Sequence, residues 1–186
     1  YFEFELKNKE IVYYGIDSEK FRIDIEGGRQ IRRQLGIDEN ALVFGVIGRL
    51  DPVKGHQYFI EAAALASKDL PNARFLIVGE EKNVQVTELR DIANQTGIND
   101  RIIFVAQRVE QIVAYYSAID IGVIPSIGSE TISRVELEFM ACEKPLVVTK
   151  VGMLPEVVDI QTGLVVPPAS PTRMAEAMLM LCQDKN

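Results

Sequence analysis

The fold is decided by residues 42–78, LVFGVIGRLDPVKGHQYFIEAAALASKDLPNARFLIV. Residues 42–48 are an almost unbroken apolar run, which is typical of a strand buried on both faces of a sheet. After a loop, apolar residues recur at helical spacing and form one stripe, made of Phe59, Ala62, Ala63, Ala66 and Leu70. Residues 75–78 are a second apolar run. A strand, a helix and a strand in this order predict two parallel strands, because parallel neighbours require a crossover connection.

The rest of the chain repeats this alternation of strand and helix. Further strands are predicted at residues 102–105, 119–124, 146–148 and 163–166. Helices are predicted at residues 86–93 with a stop at Gly97, at 109–116, at 135–142, from Pro155, and from Ser170 to Leu181. Residues 11–17 predict a first strand and turn, and residues 28–35 a basic helix. We therefore predict one α/β domain over residues 1–186, a Rossmann-like parallel sheet with helices on both faces. Its ligands are expected at the carboxyl ends of the strands.

The composition excludes several classes of protein. With 186 residues, 47% hydrophobic and 25% charged, the chain has the make-up of one ordinary globular domain. A net charge of −7 argues against a nucleic-acid partner. One histidine and two cysteines leave no cluster with metal-ligand spacing, so no metal is expected. No apolar run approaches the roughly 18 residues of a membrane span, and the first residues lack the pattern of a signal peptide. A cytoplasmic location is therefore expected.

The first candidate binding loop is residues 48–55, GRLDPVKG, which follows the strand predicted at residues 42–48. It is not a Walker-type phosphate loop, because it contains no Gly-Lys followed by Ser or Thr. The guanidinium of Arg49 and the ammonium of Lys54 suit a diphosphate, and Gly48 permits close approach of the backbone. The alternative is that both bases are ordinary surface residues, neutralised by Asp51.

The second candidate loop is residues 125–133, PSIGSETIS, which leads into a predicted helix. Glu130 and Glu138 are separated by about two helical turns, so both carboxylates are expected to face one hollow with Arg49 and Lys54. A carboxylate accepts two hydrogen bonds at once, so Glu138 can hold a ribose diol and Glu130 a hydroxyl of a second sugar. The alternative is that Glu130 stabilises the helix dipole and that Glu138 is solvated.

Other positions at the same edge of the sheet give weaker signals. Gly152 and the amides at the following helix start can receive a phosphate or a sugar hydroxyl. Gly79 follows the strand at residues 75–78, and a base-binding region is expected around Val105. Each of these has the alternative of an ordinary turn. His56 lies near a helix start without a nucleophile in motif context, so we expect a surface residue with no catalytic role.

Several motifs occur in an order that resembles the group 1 retaining glycosyltransferases, which have the GT-B fold. The resemblance is to the C-terminal, donor-binding half of these enzymes and covers residues 12–181. The motifs are residues 48–55, Val78-Gly79, Pro125-Ser126, the pair Glu130 and Glu138, residues 140–142 with Lys144-Pro145, Gly152 with Pro155-Glu156, and residues 162–167. Several motifs in one order are more specific than any single motif.

The resemblance implies a role for each matched position. Arg49 and Lys54 hold the diphosphate of a UDP- or GDP-sugar, Glu138 holds the ribose, and Glu130 contacts the donor sugar. The expected catalytic residues are Glu130, Arg49 and Lys54, and the residues expected to line the donor site are Gly48, Gly79, Val105 and Gly152. Neither a metal nor another cofactor is expected, because the cations stabilise the departing diphosphate.

The resemblance also implies that a second, N-terminal acceptor domain is absent from this chain. The isolated domain is therefore expected to bind its donor without catalysing transfer. Contact with the inner face of a membrane is expected only through the missing domain.

The chain departs from the family pattern at several positions. Residues 131–133, TIS, stand where the family usually has glycines after the first glutamate, and Met153 stands where a second glycine is common. Glu143 and Ala106 also replace usual glycines. The alternatives left open are a nucleotide-sugar epimerase or phosphorylase of the same fold, a non-catalytic nucleotide-sugar-binding module, and a scaffold domain without a ligand.

Overall fold

A computed structural model describes residues 14–183 of the chain. Its strands are β1 (Val43–Ile47), β2 (Arg74–Val78), β3 (Ile102–Val105), β4 (Ile121–Ile124), β5 (Leu146–Thr149) and β6 (Gly163–Val166). They form one parallel sheet in the order β3-β2-β1-β4-β5-β6. The predicted parallel sheet is confirmed.

The strands alternate with α-helices. These are α1 (Ile25–Gln34), α2 (His56–Ala66), α3 (Val86–Thr96), α4 (Ile112–Ala118), α5 (Arg134–Ala141), α6 (Leu154–Val157) and α7 (Pro171–Gln183). The helix predicted at residues 86–93 is therefore present, and it ends at Gly97 as predicted.

The core lies on both faces of the sheet, as the apolar runs predicted. Along β1, Phe44 packs in the same cluster as Phe59 of α2, whereas its neighbour Val43 packs in the same cluster as Tyr116 of α4. Successive side chains of a strand point to opposite faces, so α2, α3 and α7 cover one face and α4, α5 and α6 cover the other. This is the predicted Rossmann-like architecture.

Several predicted elements differ from the structure in their limits. The helix predicted at residues 109–116 begins only at Ile112. The basic helix begins at Ile25 rather than residue 28, because the Asp24 side chain caps it by accepting from the Gly27 amide at 2.9 Å. The strand predicted at residues 119–124 starts only at Ile121. Residues 14–17 of the predicted first strand are not in a strand, and residues 11–13 lie outside the described part of the chain.

The order of the strands reverses beside β1. The chain runs outward from β1 to β2 and β3, and then returns to place β4 on the other side of β1. The loops that follow β1 and β4 therefore lie side by side at the carboxyl edge. This is the position where open α/β sheets bind their ligands.

Candidate functional site

The loop after β1 is shaped by its own sequence. The Asp51 carboxylate accepts from the Val53 amide at 3.2 Å and caps the 3-10 turn Pro52–Lys54. Gly55 follows with φ 68°, and α2 begins at the next residue. A side-chain cap and a fixed proline φ both favour this turn. The turn places Lys54 at its end, next to the neighbouring loop.

Lys54 and Glu130 form the central contact of the site. Nζ of Lys54 lies 2.6 Å from Oε1 of Glu130, and the hydroxyl of Ser126 donates to the same oxygen. Glu130 is only 3% exposed. It precedes α5 by several residues and binds side chains rather than the amides of that helix. A buried carboxylate requires such partners, so the structure unites these two predicted site residues.

Arg49 is held more loosely than Lys54. Its side chain is 51% exposed, and Nε lies 3.8 Å from Oδ2 of Asp51. Asp51 also accepts from the Asn83 side chain at 2.9 Å. The hydrogen bond from the Val53 amide is the largest cause that lowers the pKa of Asp51, with the Asn83 bond and the Arg49 charge adding to it. Arg49 therefore keeps donors available for a ligand, although it has an acidic neighbour.

Two glycines join the loops that follow β1, β4 and β5 at this edge. A Cβ on Gly55 would lie 2.0 Å from the Pro125 carbonyl oxygen, and a Cβ on Gly152, at φ 53°, would lie 2.0 Å from that of Glu130. The Met153 amide donates to the same Glu130 carbonyl at 2.9 Å. This amide of the loop after β5 therefore holds Glu130, while the expected contact of Gly152 with a phosphate or a sugar hydroxyl stays a prediction.

The expected single hollow is instead two adjacent cavities. The Arg49 cavity, of about 340 Å³, is lined by Gly48, Arg49, Lys54, Glu130 and Ser133 among others. Glu138 lines a neighbouring cavity of about 230 Å³ with the segment 14–17 and Phe21. Arg134 lines both cavities, so it marks the boundary between them.

Glu138 is separated from Glu130 because only one of the two lies on a helix. Glu138 is on the second turn of α5, where the hydroxyl of the buried Tyr116 donates to its Oε2. Glu130 lies in the preceding loop, where Lys54 holds it. The helix begins at Arg134, one residue before its predicted start, so Glu130 precedes the helix and Glu138 lies on its second turn.

The remaining predicted positions lie further from these cavities. Among the described residues that line the Arg49 cavity, Gly48 is present, whereas Gly79, Val105 and Gly152 are not. Gly79 donates its amide to the carbonyl of Val105 at 3.0 Å, which joins the ends of β2 and β3. Their expected contacts with a nucleotide stay predictions.

His56 is not the surface residue that we expected. It is 2% exposed, and within residues 14–183 neither ring nitrogen makes a hydrogen bond of normal geometry. Burial lowers the pKa of His56 to about 4, and the backbone of Gly48 opposes this only in part. Its spacing of three and four residues from Phe59 and Ile60 is a signal that places it on the buried stripe of α2.

Glu136 is a buried titratable residue that the sequence analysis did not single out. It is 1% exposed on α5, and burial, together with the nearby Glu130 carboxylate, raises its pKa to about 8. Its spacing of three residues from the buried Phe139 is the signal that places it on the covered face of the helix.

Residues 14–183 contain no group of three or more His, Cys, Asp or Glu side chains arranged to hold a metal ion. In the same part of the chain, no helix has the length and apolar character needed to cross a membrane.

Comparison with known proteins decides the family. Residues 41–184 match the family model described as "Glycosyl transferases group 1". This chain belongs to the group 1 glycosyltransferases. The D-inositol 3-phosphate glycosyltransferase of Corynebacterium glutamicum is 37% identical to it over 159 residues, which are 82% of this chain and 38% of that protein. The chain therefore spans well under half the length of such curated relatives.

Two solved structures share the fold of this chain. HepE from Anabaena, in complex with UDP and glucose, matches with a TM-score of 0.84 at 27% identity, over 95% of this chain and 47% of that one. The C-terminal domain of the group 1 protein LpcC from Francisella tularensis matches with a TM-score of 0.79 at 29% identity, over 91% and 89%. This glycosyltransferase chain thus has the architecture of one half of a GT-B enzyme, as predicted.

Proposed function

We propose that this chain is the donor-binding part of a retaining glycosyltransferase that takes a sugar from a UDP- or GDP-sugar. The contact that carries the proposal is the meeting of Lys54 with Glu130 beside the half-exposed Arg49, at the reversal point of the sheet. Related structures hold UDP or UDP-glucose, and related proteins are named glycosyltransferases.

In this proposal the cations of the first loop bind the diphosphate. The bond between the anomeric carbon and the diphosphate oxygen breaks, and its electron pair leaves with the diphosphate. The oxygen of an acceptor hydroxyl forms the new bond to the anomeric carbon, and its proton passes to the departing diphosphate. Arg49 and Lys54 stabilise the negative charge that grows on the leaving group, and no metal is invoked for this task.

The acids orient the two sugars of the donor. Glu130, fixed by Lys54 and Ser126, accepts from a hydroxyl of the transferred sugar. Glu138, held at one oxygen by Tyr116, offers the other to the ribose. Arg134, on the wall shared by the two cavities, lies between these positions. Net retention at the anomeric carbon is supported by the resemblance to retaining members of the family.

The acceptor is assigned to a separate N-terminal domain, so the chain by itself binds donor without turnover. The Corynebacterium glutamicum relative supports this assignment, because this chain covers only 38% of its length and the remainder is long enough for a further domain. We place the whole enzyme in the cytoplasm, with membrane contact only through its acceptor domain and without a nucleic-acid partner.

Calorimetric titration with UDP, GDP and their glucose conjugates tests the donor site. The Arg49→Ala variant should bind the preferred nucleotide at least tenfold more weakly, because a hydrogen bond to a charged group contributes about 1.5–3 kcal/mol. Arg173→Ala, which removes an exposed arginine of α7, is the matched control and should bind as the wild type does. Absence of binding by all four compounds, or unchanged binding by Arg49→Ala, contradicts the proposal.

Two further measurements separate the alternatives in a chain that includes the acceptor domain. Transfer releases free nucleotide only when an acceptor is present, whereas an epimerase changes the sugar without an acceptor. Activity that persists in excess chelator supports catalysis without a metal, and complete loss in chelator contradicts it.

A further inference from the structure

Arg134 is a cation of the proposed donor site without an acidic partner in the described part of the chain. Its side chain is exposed, and its guanidinium forms neither an ion pair nor a hydrogen bond with the described residues. Lys54, in contrast, is bound to Glu130, and Arg49 has Asp51 beside it. The charge and the donors of Arg134 are therefore more available to a ligand than those of the other two cations.

The position of Arg134 in its helix is unfavourable unless an anion lies nearby. Arg134 is the first residue of α5, and the N-terminus of a helix carries a partial positive charge that disfavours a cation. Glu138, one turn later on the same helix, does not offset this, because its Oε2 accepts from the Tyr116 hydroxyl. A residue that local rules disfavour is expected where function requires it.

The wall of the Arg49 cavity has an excess of positive charge, although the whole chain has a net charge of −7. The described residues that line this cavity include the cations Arg49, Lys54 and Arg134 but only one acid, Glu130. The diphosphate of a nucleotide-sugar carries one negative charge on each phosphate. Because Glu130 already offsets Lys54, the two phosphates are balanced only if Arg134 acts together with Arg49.

The place of Arg134 between the two cavities indicates which phosphate it binds. Arg134 also lines the neighbouring cavity that contains Glu138. Burial, and after it the Glu138 carboxylate, raises the pKa of Tyr116, and the charge of Arg134 opposes both effects, so this cation lies near the Tyr116–Glu138 pair. In the donor, one phosphate is attached to the ribose and lies between the ribose and the second phosphate. Arg134 has the corresponding place, between the residue assigned to the ribose and the cations of the first loop.

The loop before Arg134 favours a contact through a long side chain. Glycines permit a ligand to come close to the backbone, whereas this loop has Thr131, Ile132 and Ser133. Thr131 and Ile132 are exposed, so their side chains keep a ligand further from the backbone. A guanidinium stands at the end of a long stem and can bind a phosphate through two parallel hydrogen bonds. Arg134 can therefore reach a phosphate that the backbone of this loop does not approach.

We propose that Arg134 is a third cation of the donor site and binds the phosphate attached to the ribose, while Arg49 and Lys54 bind the phosphate attached to the transferred sugar. This inference rests on the proposed function, since it assigns a further residue to the same site. When the bond to the sugar breaks, negative charge grows on the phosphate next to Arg49 and Lys54. Arg134 therefore contributes mainly to the binding of the nucleotide, and the first loop mainly to the transfer step.

Calorimetric titration of the 186-residue chain with UDP, and displacement of UDP by UMP, test this assignment; GDP and GMP are used if the chain prefers guanosine nucleotides. UMP has only the phosphate attached to the ribose. Arg134→Met keeps a long stem and removes the charge, so UDP and UMP should both bind about tenfold more weakly, whereas Arg49→Ala should weaken UDP about tenfold and UMP less than about threefold. Arg173→Ala should bind both nucleotides as the wild type does. Unchanged binding of UDP by Arg134→Met, or a loss for UDP without a loss for UMP, overturns the proposal.

Thermal melting of the ligand-free proteins separates a binding role from a structural one. Because a cation is unfavourable at the start of a helix, Arg134→Met should melt at the same temperature as the wild type or at a higher one, although it binds UDP more weakly. Arg134→Lys keeps the charge and should retain more UDP affinity than Arg134→Met. A lower melting temperature of Arg134→Met, or equal losses of affinity in the two variants, contradicts the assignment.

The same titrations distinguish failure of this inference from failure of the proposed function. If UDP binding depends on Arg49 but not on Arg134, the donor site stands and the role of Arg134 is wrong. If the wild-type chain binds neither UDP nor GDP, the donor function itself fails, and the role of Arg134 fails with it.

Discussion

The loops after β1 and after β4 lie side by side but obtain their conformations in different ways. Residues 48–55 contain a local frame, the Asp51 cap and the turn Pro52–Lys54, to which Asn83 adds a hydrogen bond to Asp51 from outside. Residues 125–133 have an internal side-chain contact, from the Ser126 hydroxyl to Glu130, but no capped turn, and Ser129 adopts φ 60° without being a glycine. They are held from outside by Lys54 and by the Met153 amide. One loop is therefore a template on which the other is placed.

The two segments also bury titratable groups of opposite character. His56, which follows the first loop, is a base whose burial lowers its pKa to about 4. Glu136, which follows the second, is an acid whose burial raises its pKa to about 8. Both groups are therefore kept neutral inside the protein, and acid and alkali each destabilise a different side of the site.

The largest expected effect comes from breaking the contact between the two loops. In Gly55→Ala, a Cβ at positive φ would lie 2.0 Å from the Pro125 carbonyl oxygen. We expect a loss of about 3–5 kcal/mol in the free energy of unfolding, from backbone strain and overpacking together. Urea denaturation measures it. Gly97→Ala is the control, because Gly97 has a similar φ of 74° and no atom within 4 Å. That variant should lose only about 1–2 kcal/mol, and equal losses would contradict the proposed template contact.

The next effect comes from removing the cation that holds the second loop. Lys54→Met leaves Glu130, which is 3% exposed, with Ser126 as its remaining described partner. We expect a loss of about 2–3 kcal/mol, less than for a fully buried pair because Lys54 itself is 25% exposed. Adding Glu130→Gln removes the stranded charge, so the double variant should recover part of the loss. A double variant that shows the full sum of two independent losses would rule out coupling between the loops.

A smaller effect is expected from the buried carboxyl group of Glu136, which should make folding stability depend on pH. The pKa of Glu136 is about 8 in the folded protein against 4.5 for the ordinary group. As pH rises from 4.5 to 8, the unfolded chain loses this proton while the folded chain keeps it, so folding stability falls. Glu136→Gln does not titrate, and its stability should exceed that of the wild type by about 1–3 kcal/mol at pH 8 and by much less at pH 4.5. Denaturation curves over this range give the difference, and a pH-independent difference contradicts the assignment.

The smallest effect concerns the buried base beside the first loop. The pKa of His56 is about 4 in the folded protein against 6.5 for the ordinary group. As pH falls from 6.5 to 4, the unfolded chain takes up a proton that the folded chain refuses, so stability falls with acid. Between pH 6.5 and pH 4, the free energy of unfolding of His56→Gln should fall by about 1–2 kcal/mol less than that of the wild type. Thermal melts at several pH values test this, and parallel acid profiles for both proteins would show that His56 does not contribute.

The sequence predicted the first loop better than the second for a physical reason. An aspartate cap, a proline and a following glycine act on near neighbours, so their effect is visible in residues 48–55 alone. The position of Glu130 depends on Lys54, which lies 76 residues away along the chain. No local pattern shows that contact, although the helix itself was predicted to within one residue of its start at Arg134. The same reason explains why Glu138 was expected in the Arg49 cavity rather than beside Tyr116.

The sequence by itself determined the parallel sheet, its two-sided core and the edge at which we propose the donor site. Apolar periodicity and turn residues act over short distances, and crossover connections leave few ways to arrange the strands. Only the tertiary structure decided which charges are satisfied and which are not. It paired Lys54 with Glu130, turned Glu138 toward Tyr116 and left Glu136 buried without a described donor to its Oε1. Burial and long-range pairing are properties of the packed chain, because they depend on groups that meet only after the sheet has formed.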